Sequence, residues 1–230
     1  MLFLYHEVIY RPLLNILVFI YNALPGHDIG ITIIVLTVLI RLIMAPSFQK
    51  SLQSQKAMNN LQPKLNEIRE KHKDNKEEQA KVMMDLYREH KVNPLSSCLP
   101  LLIQLPILIA LYQVFNSALA QKIQGLYSFI SNPGYISPVF IHLIDLSKPS
   151  WVLAIAAGAL QFWQSRLMLS SNQSNDATAK AMAIQTTYVL PLLSVFIAWR
   201  LPAGLPLYWV VTTIFAIAQQ YYIMRKPNPQ

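Results

Sequence analysis

Apolar residues gather into long runs along this chain, interrupted by one extended polar stretch. A helix that crosses a bilayer needs about 20 mostly apolar residues, and five runs approach or reach that length. Ile29–Pro46 is apolar apart from Thr32, Thr37 and Arg41. Leu95–Ala118 follows, with Pro100 and Pro106 inside it, and then Trp151–Leu169, Ala183–Trp199 and Leu205–Met224. Prolines inside spans are tolerated when neighbouring helices or side chains satisfy the carbonyls they free. The pattern predicts an all-α membrane protein of five transmembrane helices, with its two ends on opposite sides.

The stretch Leu2–Leu24 is apolar but broken by His6, Glu7, Arg11, Asn15 and Asn22, and Pro25-Gly26 stops it. Two placements are open. One is an N-terminal amphipathic helix lying in the outer interface; the other is a sixth span, which would put the N-terminus in the cytoplasm. The scattered polar groups fit the interface better, because charges deep in the bilayer are costly.

The polar stretch, residues 48–93, reads as two helices. Leu52, Leu61, Leu65 and Ile68 fall roughly on one face of the first, and Val82, Met83 and Leu86 recur at helical spacing in the second. Lys73-Asp74-Asn75-Lys76 is a polar break that turns the chain back. Both ends must return to the membrane, so a cytoplasmic helical hairpin results. Its mixed-charge surface gives little reason for docking on the spans, and it is expected to move relative to them. Met58, Met83, Met84 and Tyr87 leave it apolar surface to offer a partner. The organisation is then an external amphipathic segment (1–28), span one (29–47), the hairpin (48–93), span two (94–119), an external loop (120–149), and spans three to five with a short tail (150–230).

Composition sharpens this picture. Of 230 residues, 53% are hydrophobic and 13% charged, against about 25% charged in a typical globular chain. The hairpin holds ten basic and seven acidic groups, so 17 of the 30 charges lie there. Interleaved signs of that kind mark a solvated helix face, not a nucleic-acid site, despite the formal charge of +8. One cysteine, Cys98, excludes a disulfide framework and a zinc site of the Cys-pair type. No secretory signal or transit segment is expected at the N-terminus. Lys and Arg beside the loops number 14 on the hairpin side and four on the other. The positive-inside rule then places the hairpin and C-terminus in the cytoplasm and the N-terminus outside.

No catalytic set emerges. The five histidines, His6, His27, His72, His90 and His142, lack metal-ligand spacing. The six glycines form no phosphate loop. Asp145 and Asp176 fall in loops, so no proton relay is expected. The prominent group is Arg41, about 12 residues or ~18 Å into span one. An arginine at a helix centre costs roughly 2.5–3.5 kcal/mol on the insertion scale, and such residues face a wet interior. The competing account is that Arg41 snorkels to the cytoplasmic interface. Thr37, four residues earlier, shares its helix face. Gln104, Gln161, Gln164, Tyr208, Trp209, Thr212 and Thr213 place polar groups at comparable depth in other spans. Each of these could instead serve interhelical packing.

Several motifs carry a resemblance. Leu61-Gln62-Pro63-Lys64-Leu65, His90-Lys91-Val92-Asn93-Pro94-Leu95, the run from Cys98 to Tyr112, and Leu201-Pro202-Ala203-Gly204-Leu205-Pro206-Leu207-Tyr208-Trp209 together resemble the YidC/Oxa/Alb family of membrane protein insertases. Ser96-Ser97 departs from it, since many relatives carry glycines there. The resemblance covers essentially the whole chain. It implies five spans, a cytoplasmic hairpin and an external N-terminus. It also implies a hydrophilic groove open to cytoplasm and lipid, with Arg41, Thr37, Tyr208, Trp209 and one of Gln161 or Gln164 as its substrate-facing residues; Gln104 joins this expected set by its depth in span two. The expected substrates are nascent membrane proteins, received in the groove and released laterally into the lipid bilayer of a bacterial plasma membrane. Neither a cofactor nor enzymatic chemistry is expected. The ribosome and the Sec translocon are candidate partners. Only Lys226–Gln230 follow Arg225, so ribosome contact is expected to use the hairpin and short loops. Two other classes compete: a small polytopic transporter or channel, and an assembly factor whose hairpin does the work. Carriers usually show inverted repeats, and no internal repeat links the five spans.

Overall fold

The computed structural model describes residues 2–90, 92–93, 99–168 and 177–225. Lys91, the Pro94–Cys98 stretch with Ser96-Ser97, the end of the third apolar run at Leu169, Asp176 and the tail from Lys226 lie outside the described residues.

Residues 2–23 form one helix, α1, which widens to a π-turn over His6–Tyr10 before continuing as Arg11–Ala23. Pro12 follows this turn directly, and a proline lacks the N–H and crowds the carbonyl four residues back. A local widening accommodates both defects. Leu14, Leu17, Val18 and Tyr21 are buried, while Phe3, Leu4, Val8 and Phe19 remain exposed. Asn15 sits within the packed face. Its amide donates to the Arg11 carbonyl at 2.7 Å and the Gly125 carbonyl at 3.2 Å, and its oxygen accepts from the Tyr127 N–H at 2.7 Å.

Helix α2, Ile29–Lys71, starts at an Asp28 cap whose carboxylate accepts from the N–H groups of Gly30 (2.7 Å) and Ile31 (3.0 Å). It runs unbroken for 43 residues, with Pro46 and Pro63 inside it. The backbone shows no break at the expected border at residue 47: residues 47–71 hold no glycine, and the helix continues through Pro63. A turn at 72–75 leads into α3, Lys76–Glu89. The Asn75 oxygen accepts from the Glu78 N–H at 3.1 Å, and the Gln79 amide donates to the Arg69 carbonyl at 3.0 Å. α3 thus folds back along α2, with Leu61 and Leu65 buried.

Helix α4, Leu99–Leu119, leads into a segment that contains a two-stranded antiparallel ribbon, β1 (Val139–Phe140) and β2 (Ile144–Asp145). The sequence reading expected helices alone and placed Asp145 in a loop; the alternation Val139-Phe140 and Ile144-Asp145 is too short to register as a strand period. Then come α5 (Trp151–Met168), α6 (residues 177–200) and α7 (Gly204–Arg225). α6 repeats the α1 device, with a π-turn over Gln185–Val189 just before Pro191. Gly158 lets α5 and α6 approach closely, since a Cβ there would stand 2.2 Å from a Val195 methyl. Leu14, Leu17, Ile33, Leu36, Leu111, Val114, Phe115 and Tyr208 form one core from α1, α2, α4 and α7. Among the described residues, Phe3–Ala23, Ile29–Lys71 and Leu102–Leu119 are long and apolar enough to cross a membrane. The chain is predominantly helical, as an α-helical membrane protein should be.

Candidate functional site

Helices α2 and α7 pack along much of their length, and a polar stripe runs down α7 toward α2. Tyr208, Thr212, Ala216 and Gln220 recur every four residues, and all four are buried. Arg41 reaches this stripe from α2, with Nε donating to the Thr212 hydroxyl at 3.2 Å. Its guanidinium lies 4.5 Å from the centre of the Phe48 ring, two turns further along the same helix. Only 5% of Arg41 is exposed, so its charged head is enclosed by protein and does not stand at the surface. Among the described residues no carboxylate pairs with it, and its buried Nη1 has no hydrogen-bond partner.

The third contributor is α4. Gln104 donates to the Tyr208 hydroxyl, which also bonds Thr212. Three helices therefore meet at one connected set, Arg41–Thr212–Tyr208–Gln104. Thr37 lies one turn from Arg41 and is buried, but its hydroxyl donates to the Ile33 carbonyl at 2.6 Å within its own helix. Trp209 is half-buried against the core, and its carbonyl accepts from the Thr213 hydroxyl at 2.8 Å. Gln161 and Gln164 are both half-buried on α5, and no hydrogen bond joins either to the Arg41 set. Helical spacing does not separate them: both fall within the arc of buried Leu153, Ala154, Ala157, Gly158 and Ser165.

Phe48 and Gln220 were not singled out by the sequence reading. Both had a signal, since Phe48 is seven residues from Arg41 and Gln220 is eight from Thr212, each an approximate return to the same face. Gln220 is 1% exposed, and among the described residues neither atom of its amide has a partner. A buried polar atom left unpaired costs about 1–3 kcal/mol. The site therefore combines satisfied bonds with surplus hydrogen-bonding capacity, on Arg41 and on Gln220. Groups of three or more His, Cys, Asp or Glu able to hold a metal are absent among the described residues.

Comparison with known proteins matches this architecture. Residues 19–230 fit the family described as 60Kd inner membrane protein. A membrane protein insertase YidC from Fusobacterium nucleatum is 39% identical over 220 residues, covering 95% of this chain and 98% of that protein. Those from Magnetococcus marinus (36% identical, 94% of this chain) and Geobacter sulfurreducens (35%, 94%) are longer, and the match spans only 35% and 37% of them. The chain thus belongs to the 60Kd inner membrane protein family, the YidC/Oxa/Alb insertases that its motifs resemble.

Proposed function

We infer that this chain is a membrane protein insertase: it receives nascent membrane proteins at a polar site within the bilayer and releases them sideways into lipid. The observation that carries the reading is Arg41, an enclosed cation with no carboxylate partner among the described residues and an unused N–H donor, set beside hydroxyl and amide groups from two other helices. A polar tail cannot cross about 30 Å of hydrocarbon unaided. A wet groove reaching Arg41 shortens the dry path, and the guanidinium attracts acidic groups on the passenger. The passenger's apolar segment then moves into lipid on its own transfer free energy. No covalent bond changes and no nucleotide is consumed.

In this reading α2, α4, α5, α6 and α7 are the five spans, the α2–α3 hairpin is cytoplasmic and the N-terminus is outside. The 14-to-4 distribution of basic residues supports the orientation. Helix α1 lies in the outer interface. Its Arg11, Asn15 and Asn22 side chains bond the carbonyls of Gly125 and Ser131, in the segment assigned to the outside. Thr37, Gln161, Gln164 and Trp209 line the groove around the Arg41 set. The hairpin and short loops are the surfaces available to a ribosome or a Sec translocon.

The test is reconstitution. Purified protein in liposomes should insert a single-span passenger in the absence of any ion gradient. Insertion that requires a gradient, or ion flux without insertion, would favour a transporter or channel instead.

A further inference from the structure

The ribbon turn at Ile141–Leu143 combines two features that have no use in water. Its backbone is strained: Ile141 and His142 take φ of 48° and 59°. The left-handed region is uncommon for any residue with a side chain and a real outlier for a β-branched one. Strain of this kind persists only where surrounding contacts hold it. Here the hold is visible. The Ile141 N–H donates to the second oxygen of the Asp28 carboxylate at 2.7 Å, while the first oxygen caps α2. Phe140 is pressed onto Gly30, where a Cβ would come within 2.1 Å of the ring. The turn that results displays its apolar side chains, with Ile141 53% and Leu143 84% exposed.

Asp28 also fixes the depth of this turn. It is the cap of α2, the helix whose apolar half begins at Ile29 and is long enough to cross a membrane. A carboxylate at the first residue of a span stands at the edge of the hydrocarbon, and Ile141 is one hydrogen bond from it. Ile31, just inside the same helix, is itself exposed, so lipid-facing surface continues from α2 to the turn. Asp145 of β2 pairs with Lys148 at 2.9 Å, so the ribbon returns from its apolar turn to a charged pair.

We propose that the Ile141–Leu143 turn is a lipid anchor, latched by Asp28 and inserted among the headgroups of the leaflet at the N-terminal end of α2. Apolar side chains at that depth gain by leaving water, and an anchored ribbon holds the Asp28 ends of α2 and α7 against one leaflet. The occupant is the bilayer itself.

An environment-sensitive fluorophore on Leu143→Cys, in a Cys98→Ser background, tests this in phosphatidylcholine–phosphatidylglycerol vesicles. The comparison site is Lys73→Cys, at the exposed hairpin turn. Lipids carrying a nitroxide near the headgroup should quench the label at 143 about threefold more than at 73, and aqueous iodide should quench it less. Equal quenching at the two sites by both agents would overturn the anchor. Adding Asp28→Ala should roughly halve the lipid quenching at 143 as the latch opens. Unchanged quenching in that variant would overturn the role given to Asp28. Neither outcome depends on insertion activity, so this proposal and the insertase reading fail separately.

Discussion

The Asp28 end of the molecule and the Arg41 interior are built from similar polar groups put to opposite use. At the Asp28 end the polar groups are paired. Asp28 serves three N–H donors, the Gln121 amide takes both the N–H and the carbonyl of Ile136, and the Ala203 and Gly204 N–H groups reach the Lys148 and Leu146 carbonyls. In the interior, Arg41 Nη1 and both amide atoms of Gln220 are buried without partners among the described residues. Saturated bonding stabilises and closes; surplus bonding capacity stabilises nothing until something arrives to use it. The contrast separates a part of the chain that spends its polar groups on holding shape from a part that keeps bonding capacity in reserve.

Removing the interior charge should have the largest effect. Arg41→Ala should lose most insertion of passengers with acidic translocated tails, Arg41→Lys should keep much of it, and neutral-tailed passengers should respond less. Two charges ~4 Å apart are worth about 1 kcal/mol in water and about 4 kcal/mol at an effective dielectric near 20, so a partly wet site gives a several-fold change in proteoliposome assays. Equal rates for all tails in Arg41→Ala would leave the cation a structural role only. At the closed end, Gly30→Val should cost about 1–3 kcal/mol of stability by overpacking against Phe140, read by thermal unfolding in detergent. Insertion per folded molecule should change little.

One chemical change applied to both regions gives opposite signs. Gln121→Leu strands the N–H and carbonyl of buried Ile136 and should destabilise by about 1–3 kcal/mol. Gln220→Leu removes two unpaired polar atoms and should be neutral or stabilising by about 1 kcal/mol, while slowing insertion. If both lower stability alike, the distinction between the regions fails. A smaller effect is expected from Tyr208→Phe, which drops the bonds to Gln104 and Thr212 and should cost about 0.5–1.5 kcal/mol in the same unfolding assay. The smallest concerns pH. The Ser147 hydroxyl and then Lys148 hold the Asp145 carboxyl below its usual range. A lowered carboxyl stabilises above its unfolded pKa and loses that contribution as pH falls through the folded value. Being exposed and screened, the group should add only a slight loss of stability below about pH 4, abolished by Asp145→Asn.

Sequence revealed most where long periodicity or cost was at work. The apolar runs at 151–169 and 205–224 fall on α5 and α7, that at 29–46 falls on the first part of the longer α2, and the expense of an intramembrane arginine pointed to Arg41 before any neighbour was known. Tyr208, Thr212 and Gln104 followed as polar residues at similar depth. Contacts between distant segments were not legible. Nothing in Asp28 announces that Ile141, 113 residues later, will bond it. The stripe ending at Gln220 needed its four-residue spacing to be followed past Ala216.

The unbroken α2 also has a mechanical meaning. As a rigid rod held at Asp28, it would place Arg41 about 18 Å and Lys71 about 63 Å from the pivot. A tilt of about 10° would carry the hairpin tip some 11 Å and Arg41 only about 3 Å. A load applied at the tip would therefore arrive at the arginine reduced in travel and increased in force. Between the two lies Pro46, where the helix lacks one rung of its hydrogen-bond ladder. Pro63 removes a second rung nearer the tip, so the lever has two soft joints, the first of them just beyond the cation, and none between Arg41 and the Asp28 fulcrum.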